Sequence, residues 1–298
     1  MPAILIVDDE RSIRTMLSDY LAKSYDVVCA ENGTEALALL ADRHIDVVIS
    51  DISMPGMDGL ELLRVVRERH PAVKYALMTG NNIDHFIKAD KKEYIANIIP
   101  KTAPFNFAEL EATVQGLITG DIFGLKRYLL HDGTIFAQYR ITSSDEGRAV
   151  REELVTRIAE RFGDAKDIRL VLDEIIMNAV YHAPSTADGA DRYPVFTDIT
   201  LDPEEYVYVE CGCDREKYGV SITDRKGRLK KETVLHKMER QISGAGVLDE
   251  SGRGIHLSRL FADRMVINID PGKKTEVILM NYLAPRYHGH KPLYINEL

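Results

Sequence analysis

No stretch of this 298-residue chain approaches the roughly 20 apolar residues that a membrane-spanning helix needs. The opening MPAILIVDDE also lacks the basic region and long apolar core of a secretory signal. Cysteine is scarce, confined to Cys29, Cys211 and Cys213, and an odd count without a signal reads as reduced thiols in a cytoplasm. Cys211-Gly212-Cys213 has a metal-like spacing, but no second ligand pair stands nearby, so a structural role is expected. Positive charge is short as well: 38 Lys and Arg face 47 Asp and Glu, a net of −9, and both halves of the chain are acidic. That balance, with no helix-turn-helix pattern, argues against direct nucleic-acid binding. Low-complexity tracts are missing, and 45% hydrophobic residues suffice for two packed domains.

Residues 1–118 alternate short apolar runs with amphipathic stretches. The runs are AILIVDD, YDVVCA, DVVISD, KYALMTG and YIANIIP; between them lie RSIRTMLSDYLAKS and GTEALALLADRH. This rhythm predicts an α/β domain, a doubly wound parallel sheet with its site at the carboxyl ends of the strands. Asp8 and Asp9 close the first run, Asp51 the third and Thr79 the fourth, with Lys101 after the fifth. Three converging carboxylates require a cation, and oxygen donors suit Mg2+. The metal would shield an incoming phosphoryl group, so Asp51 can act as nucleophile while Lys101 and Thr79 receive the phosphoryl oxygens.

DISMPGMDGLEL, with DDE before it and MTG after it, resembles the response-regulator receiver family over about residues 1–118. The resemblance implies phosphorylation of Asp51 by an upstream sensor histidine kinase. It also implies Mg2+ held by Asp9, Asp51 and the Ser53 carbonyl, with Asp8 acting through water, and Thr79 and Lys101 as switch residues. Two departures stand out. Lys101 is followed by Thr102 rather than proline, and the position of the usual switch aromatic holds Ile98, which has no ring to swing.

The segment FAELEATVQGLITGDIFGLKRYLL has helical spacing interrupted at Gly120. The expected organisation is a first domain over 1–120, a connecting helix over 121–130 and a second domain over 131–298. In the second domain a strand TIFAQYRI and the helix DEGRAVREELVTRIAERFG precede DIRLVLDEIIMNAVYHA. On this last helix Glu174, Asn178 and His182 fall on one narrow polar stripe framed by Leu170, Val171 and Met177, so a polar partner is expected to meet them. A strand hairpin then ends at Asp224, three residues before Gly227, and Gly252-Arg253-Gly254 opens a later helix. Glycine allows close backbone approach, and helix-start N–H groups suit phosphate. Arg228, Lys230 and Lys231 read as a solvated basic face, with phosphate or partner contact the alternative. Residues 184–203 form a Pro- and Asp-rich insertion without an assignable role.

The ordered series Glu-Asn, Asp-Gly, Gly-Arg-Gly resembles the GHKL ATPases, most closely the anti-sigma-factor serine kinases, over about 131–285. The resemblance implies an α+β two-layer sandwich that binds ATP. Asn178 would coordinate its Mg2+ and Asp224 would accept from the adenine amino group. Gly227 completes the adenine-side loop, Gly252, Arg253 and Gly254 lie along the phosphates, and Thr275 helps hold adenine. A lid would run from Leu235 to Ser251 with Gly244 and Gly246, and Glu174 would be the general base. The implied target is a sigma factor or an anti-sigma antagonist phosphorylated on Ser or Thr, and homodimers are common in both families. Two other readings stand beside this one. One is an ATP-gated binding module without transfer chemistry. The other is a rearranged histidine kinase, although His131 is the only histidine of the connecting region and it precedes a turn.

Overall fold

The computed structural model describes residues 1–80, 97–102, 104–163, 166–186, 188–195, 197–242, 253–284 and 293–297. These fall into two compact units, divided between Ile122 and Phe123.

In the first unit the five apolar runs become β1 (Ala3–Val7), β2 (Asp26–Ala30), β3 (Val47–Asp51), β4 (Lys74–Thr79) and β5 (Ile98–Pro100). All neighbours pair in parallel, in the order β2-β1-β3-β4-β5. Helices α1 (Arg11–Leu21), α2 (Gly33–Asp42), α3 (Gly59–Arg69) and α4 (Phe107–Thr119) accompany them. Ile4, Ile6, Val47, Ile49, Ala76 and Met78 form one core layer with Leu17 and Leu21 of α1 and Leu110 and Val114 of α4. The alternate strand positions Leu5, Val7 and Val48 are equally buried, as expected of a parallel sheet covered on both faces.

The second unit is built on a six-stranded mixed sheet: β6 (Thr134–Ile141), β7 (Val207–Cys213), β8 (Lys217–Asp224), β9 (Arg264–Asp270), β10 (Lys274–Tyr282) and β11 (Leu293–Glu297). Their order is β11-β9-β10-β8-β7-β6, and only β11 and β9 run parallel. Four helices belong to this unit: α5 (Ser144–Phe162), α6 (Lys166–Tyr181), α7 (Lys231–Ile242) and α8 (Arg253–Phe261). Helix α6 packs between α5 and α8 and lies on β7 and β8. Ile168 and Val171 of α6, Phe261 of α8 and Leu279 of β10 come together on the helix-covered face. Because side chains alternate along a strand, Thr275 and Val277 share that face with Leu279, as do Asp224, Ile222 and Val220 across the register.

Two sequence expectations differ from this architecture. No regular helix joins the domains: Gly120 ends α4 in the left-handed conformation, Gly124 also has positive φ, and a single 3₁₀ turn follows over Leu125–Tyr128. The expected lid from Leu235 begins instead as helix α7, because Val234, Leu235 and Met238 bury one face of it. The rest of that lid, with Gly244, Gly246 and Ser251, lies outside the described residues, as does Gly252.

Candidate functional sites

The first site grows from the turn after β3. Gly56 turns the chain with φ 78°, and Asp58 then caps α3 by accepting the N–H groups of Leu60 and Glu61, while Glu61 reaches back to the Asp58 N–H. The helix start is drawn so close that a Cβ on Gly59 would sit 2.1 Å from the Asp51 carbonyl oxygen. Asp51 is thereby fixed at the strand end, 5% exposed, beside the fully buried Asp8 and the exposed Asp9. Oxygens of the three carboxylates lie within 4.8 Å of one another.

Lys101 enters this pocket from the end of β5, its N–H donating to the Thr79 carbonyl at 2.7 Å. Its ammonium stands 2.8 Å from Asp8 Oδ2, 3.1 Å from Asp51 Oδ2 and 3.8 Å from Glu10. Burial pushes the Asp8 carboxyl up, with the Lys101 bond pulling the other way. Burial acts to lower the Lys101 ammonium, but Asp8 and Asp51 outweigh it and hold the pKa above its ordinary value. One cation against three carboxylates leaves the pocket short of positive charge, and the oxygen-only donor set fits a hard divalent ion such as Mg2+. Thr79 is buried at the end of β4, Ser53 is exposed two residues past Asp51, and Ile98 is buried. Sequence reasoning missed Arg14, which donates to the Asp8 carbonyl at 2.6 Å, although its place one turn into α1 was a signal.

In the second unit, α6 presents Glu174 and Asn178 half-buried, with the Asn178 amide donating to Glu174 at 3.3 Å. Asp224 ends β8, 8% exposed, and its Oδ1 accepts from the backbones of Lys226 and Gly227 at 2.8 and 2.9 Å. Burial pushes its carboxyl up against the pull of those donors and of Thr275. Thr275 is its register partner on β10, and the buried Thr275 hydroxyl lies against the Asp224 carboxyl. Gly227 has φ 57°, and a Cβ there would meet the Asp270 carbonyl at 2.3 Å, so this glycine serves the turn that holds Asp224. Arg253 and Gly254 lie in the first turn of α8.

His182 leaves the stripe: its Nδ1 pairs with Asp191 of the insertion at 2.8 Å. Arg228 is not a solvated cation. It binds Asp191, the Gly189 carbonyl at 2.5 Å and the His182 carbonyl at 3.0 Å, so the insertion is tied to the loop after Asp224. Lys231 is also buried, 3.5 Å from Glu297, while Lys230 is exposed as expected. Cys211 is buried and Cys213 half-buried, both as free thiols.

A doubly wound five-strand sheet that gathers three carboxylates, a threonine and a lysine at its strand ends defines a signal-receiving module of two-component systems. Residues 4–115 match the family model described as response regulator receiver domain, and the amino-terminal unit is such a domain. The chain is 40% identical over 119 residues to the DNA-binding transcriptional regulator NtrC of Salmonella typhimurium, covering 39% of this chain and 24% of that protein. It is 32% identical over 118 residues to the sensor kinase CckA of Brucella abortus, covering 39% of this chain and 12% of that protein. The response regulator TrrA of Thermotoga maritima, solved in complex with Mg2+ and BeF, is 36% identical with TM-score 0.36, covering 39% of this chain and 99% of that one. The chain thus spans about a quarter or less of the length of these two curated relatives, and none of these matches accounts for the second unit. No helix among the described residues is long and apolar enough to cross a membrane.

Proposed function

We propose that this protein is a response regulator in which phosphorylation of Asp51 controls a second unit of GHKL type, which binds Mg2+ and ATP and acts on a protein partner. In the first unit Asp8, Asp9, Asp51 and the Ser53 carbonyl would hold Mg2+, which when bound supplies charge to offset that of the phosphoryl group. The Asp51 carboxylate attacks phosphorus, and the bond to the donor's leaving group breaks. Lys101, already 3.1 Å from Asp51, receives a phosphoryl oxygen as a point charge, and the Thr79 hydroxyl donates to another. An upstream sensor histidine kinase is the natural donor for a receiver domain.

The observation that carries the nucleotide reading is the buried pair Asp224–Thr275. The Asp224 carboxylate, held through Oδ1 by the Lys226 and Gly227 backbones, stands beside the buried Thr275 hydroxyl, which lies against it. Such a pair offers a carboxylate acceptor and a rotatable hydroxyl in a desolvated place, which suits the amino-pyrimidine edge of adenine. Asn178 would hold the metal, the resemblance would assign Gly252, Arg253 and Gly254 to the phosphates, and Gly227 supports Asp224. If the unit transfers phosphate, Glu174 accepts the proton of the substrate hydroxyl. A sigma factor or an anti-sigma antagonist is the partner class.

Calorimetry tests the reading directly. Mg2+ and ATP together should give a binding isotherm that weakens at least tenfold in Asp224→Asn, Thr275→Val and Asn178→Ala. Glu174→Gln should spare binding and slow any transfer to protein by ~10²–10⁴-fold. Wild-type binding without transfer leaves the binding-module form of the proposal, and no heat at millimolar ATP overturns it. For the first unit, intact mass after acetyl phosphate and Mg2+ should show one added phosphate in wild type and none in Asp51→Asn.

A further inference from the structure

We propose that residues 123–130 are a strap that conveys the state of the receiver domain to the Asp224–Thr275 pair, with Glu276 as the receiving residue. The assignment of a ligand to that pair rests on the preceding reading; the strap itself does not.

The strap lies on the sheet face opposite α6. Leu125 is fully buried over Gly219, and Tyr128 and Leu129 are buried further along. The Gly124 N–H donates to both oxygens of Glu276, at 2.9 and 3.1 Å. Glu276 is 2% exposed and also receives the Ser221 hydroxyl at 2.6 Å and the Asn268 amide at 2.9 Å. The Asn268 carbonyl oxygen in turn accepts from Asn296 at 2.7 Å, and the same Asn296 amide reaches the Tyr128 hydroxyl at 3.5 Å. Leu130 closes the strap by donating to Asp214 at 2.8 Å. One carboxylate therefore links the strap to β8, β9 and β10, and through Asn296 to β11.

The position of that carboxylate is the argument. Glu276 directly follows Thr275, and Ser221 stands three residues before Asp224 on β8, so strap and pocket occupy opposite faces of the same two strands. A simple spacer would be held more cheaply by apolar contacts, because a buried carboxylate is tolerated only when its acceptors are filled. Here one of the donors belongs to the segment that leads out of the receiver. When the strap shifts, Glu276 loses that donor inside the protein, and the strands must readjust or admit water. This gives the sheet two arrangements that a change upstream can bias.

Hydrogen exchange on the full chain, with and without Mg2+ and beryllofluoride, reads the coupling without nucleotide. In wild type, exchange of residues 123–130 and of the β8 and β10 amides should change at least threefold together. Glu276→Gln should uncouple them, leaving β8 and β10 indifferent to beryllofluoride. Leu125→Ala loosens the strap without touching the polar network. It should raise exchange of 123–130 from the start and abolish the response of β8 and β10, and it carries the test if the Glu276 variant does not fold. A wild type that responds in neither segment, or a folded Glu276→Gln or Leu125→Ala protein with the full response, overturns the proposal. Failure of ATP to bind would overturn the nucleotide reading alone.

Discussion

Gly59→Ala is a one-methyl change whose consequence follows from geometry. The new Cβ would lie 2.1 Å from the Asp51 carbonyl oxygen, 2.9 Å from its carbon and 3.0 Å from Ile52 Cα. A carbon settles against a carbonyl oxygen at about 3.3–3.6 Å, so the start of α3 must retreat by more than about 1 Å. Alanine gains up to ~1 kcal/mol over glycine within a helix, which favours the variant. Overpacking costs ~1–3 kcal/mol, at the upper end here because the obstructing wall is main chain rather than a movable side chain. The bond from the Gly59 N–H to the Ile52 carbonyl, 3.0 Å long, is strained as well, at a net cost of ~1 kcal/mol. The loss of stability in the first unit should be about 2–3 kcal/mol, which moves its urea midpoint down by roughly 1.5–2 M for a domain of this size. Urea-dependent hydrogen exchange of residues 47–51 isolates that unit, and phosphate uptake from acetyl phosphate should slow at least tenfold as Asp51 moves away from Lys101. A midpoint within 0.3 M of wild type and unchanged uptake would refute the argument.

Asp224 carries a pKa raised by burial, so its contribution to stability is present at low pH and is lost as pH rises through the folded-state value. Asp224→Asn should therefore stabilise the second unit at neutral pH, lose that advantage in acid and weaken ATP binding at least tenfold; a pH series of thermal melts reads the sign. Burial pushes the Cys211 thiol up to about 12, leaving on the order of 10⁻⁴ of it as thiolate at pH 8. A thiol reagent on the folded protein should modify Cys213 first, Cys29 more slowly and Cys211 only on unfolding, as peptide mapping would register. Asp214 and Lys217 form a buried pair at 2.7 Å with side-chain exposures of 0% and 3%. Asp214→Asn strands the lysine and should cost about 3–5 kcal/mol by urea unfolding, while loss below 1 kcal/mol would mean water reaches Lys217.

The receiver was legible because its signals are local and redundant. Each strand is a short apolar run, four of the five lead into a chemical group, and the turn from Asp51 through Gly59 states its geometry in sequence. Glu174, Asn178, Asp224 and Thr275 were legible as residues, but their relation depends on register, and only the pairing of β8 with β10 sets Thr275 opposite Asp224. Strands β9 and β11 and the helix beginning at Lys231 went unread because their apolar spacing is short and carries no chemistry. Glu276 was hidden for a related reason: a single carboxylate within KTEVILM looks like the exposed member of an alternating strand. Its donors come from Gly124, Ser221 and Asn268, far apart in the chain. The role of Arg228 was misread because its acceptors, Asp191 and Gly189, belong to an insertion that shows no periodicity.

The pairing of β6 with β7 sets a kinetic order on the chain. In the receiver β1 meets β2 across one helix and β3 across two helices and a strand (Ile4 with Val47), whereas Ile141 pairs with Val207 only after two longer helices and the insertion have been enclosed. Closure of so distant a contact is slow, and the receiver should fold first while the second sheet is still searching. Yet closure entropy grows only with the logarithm of loop length. Adding the stretch 184–203 to the loop between β6 and β7 therefore costs roughly 0.3 kcal/mol. The pairing of Arg192 with Asp202 and Glu205 is enough to offset so small a penalty, so a fold of this kind can acquire such a segment almost freely and select later for what it contacts.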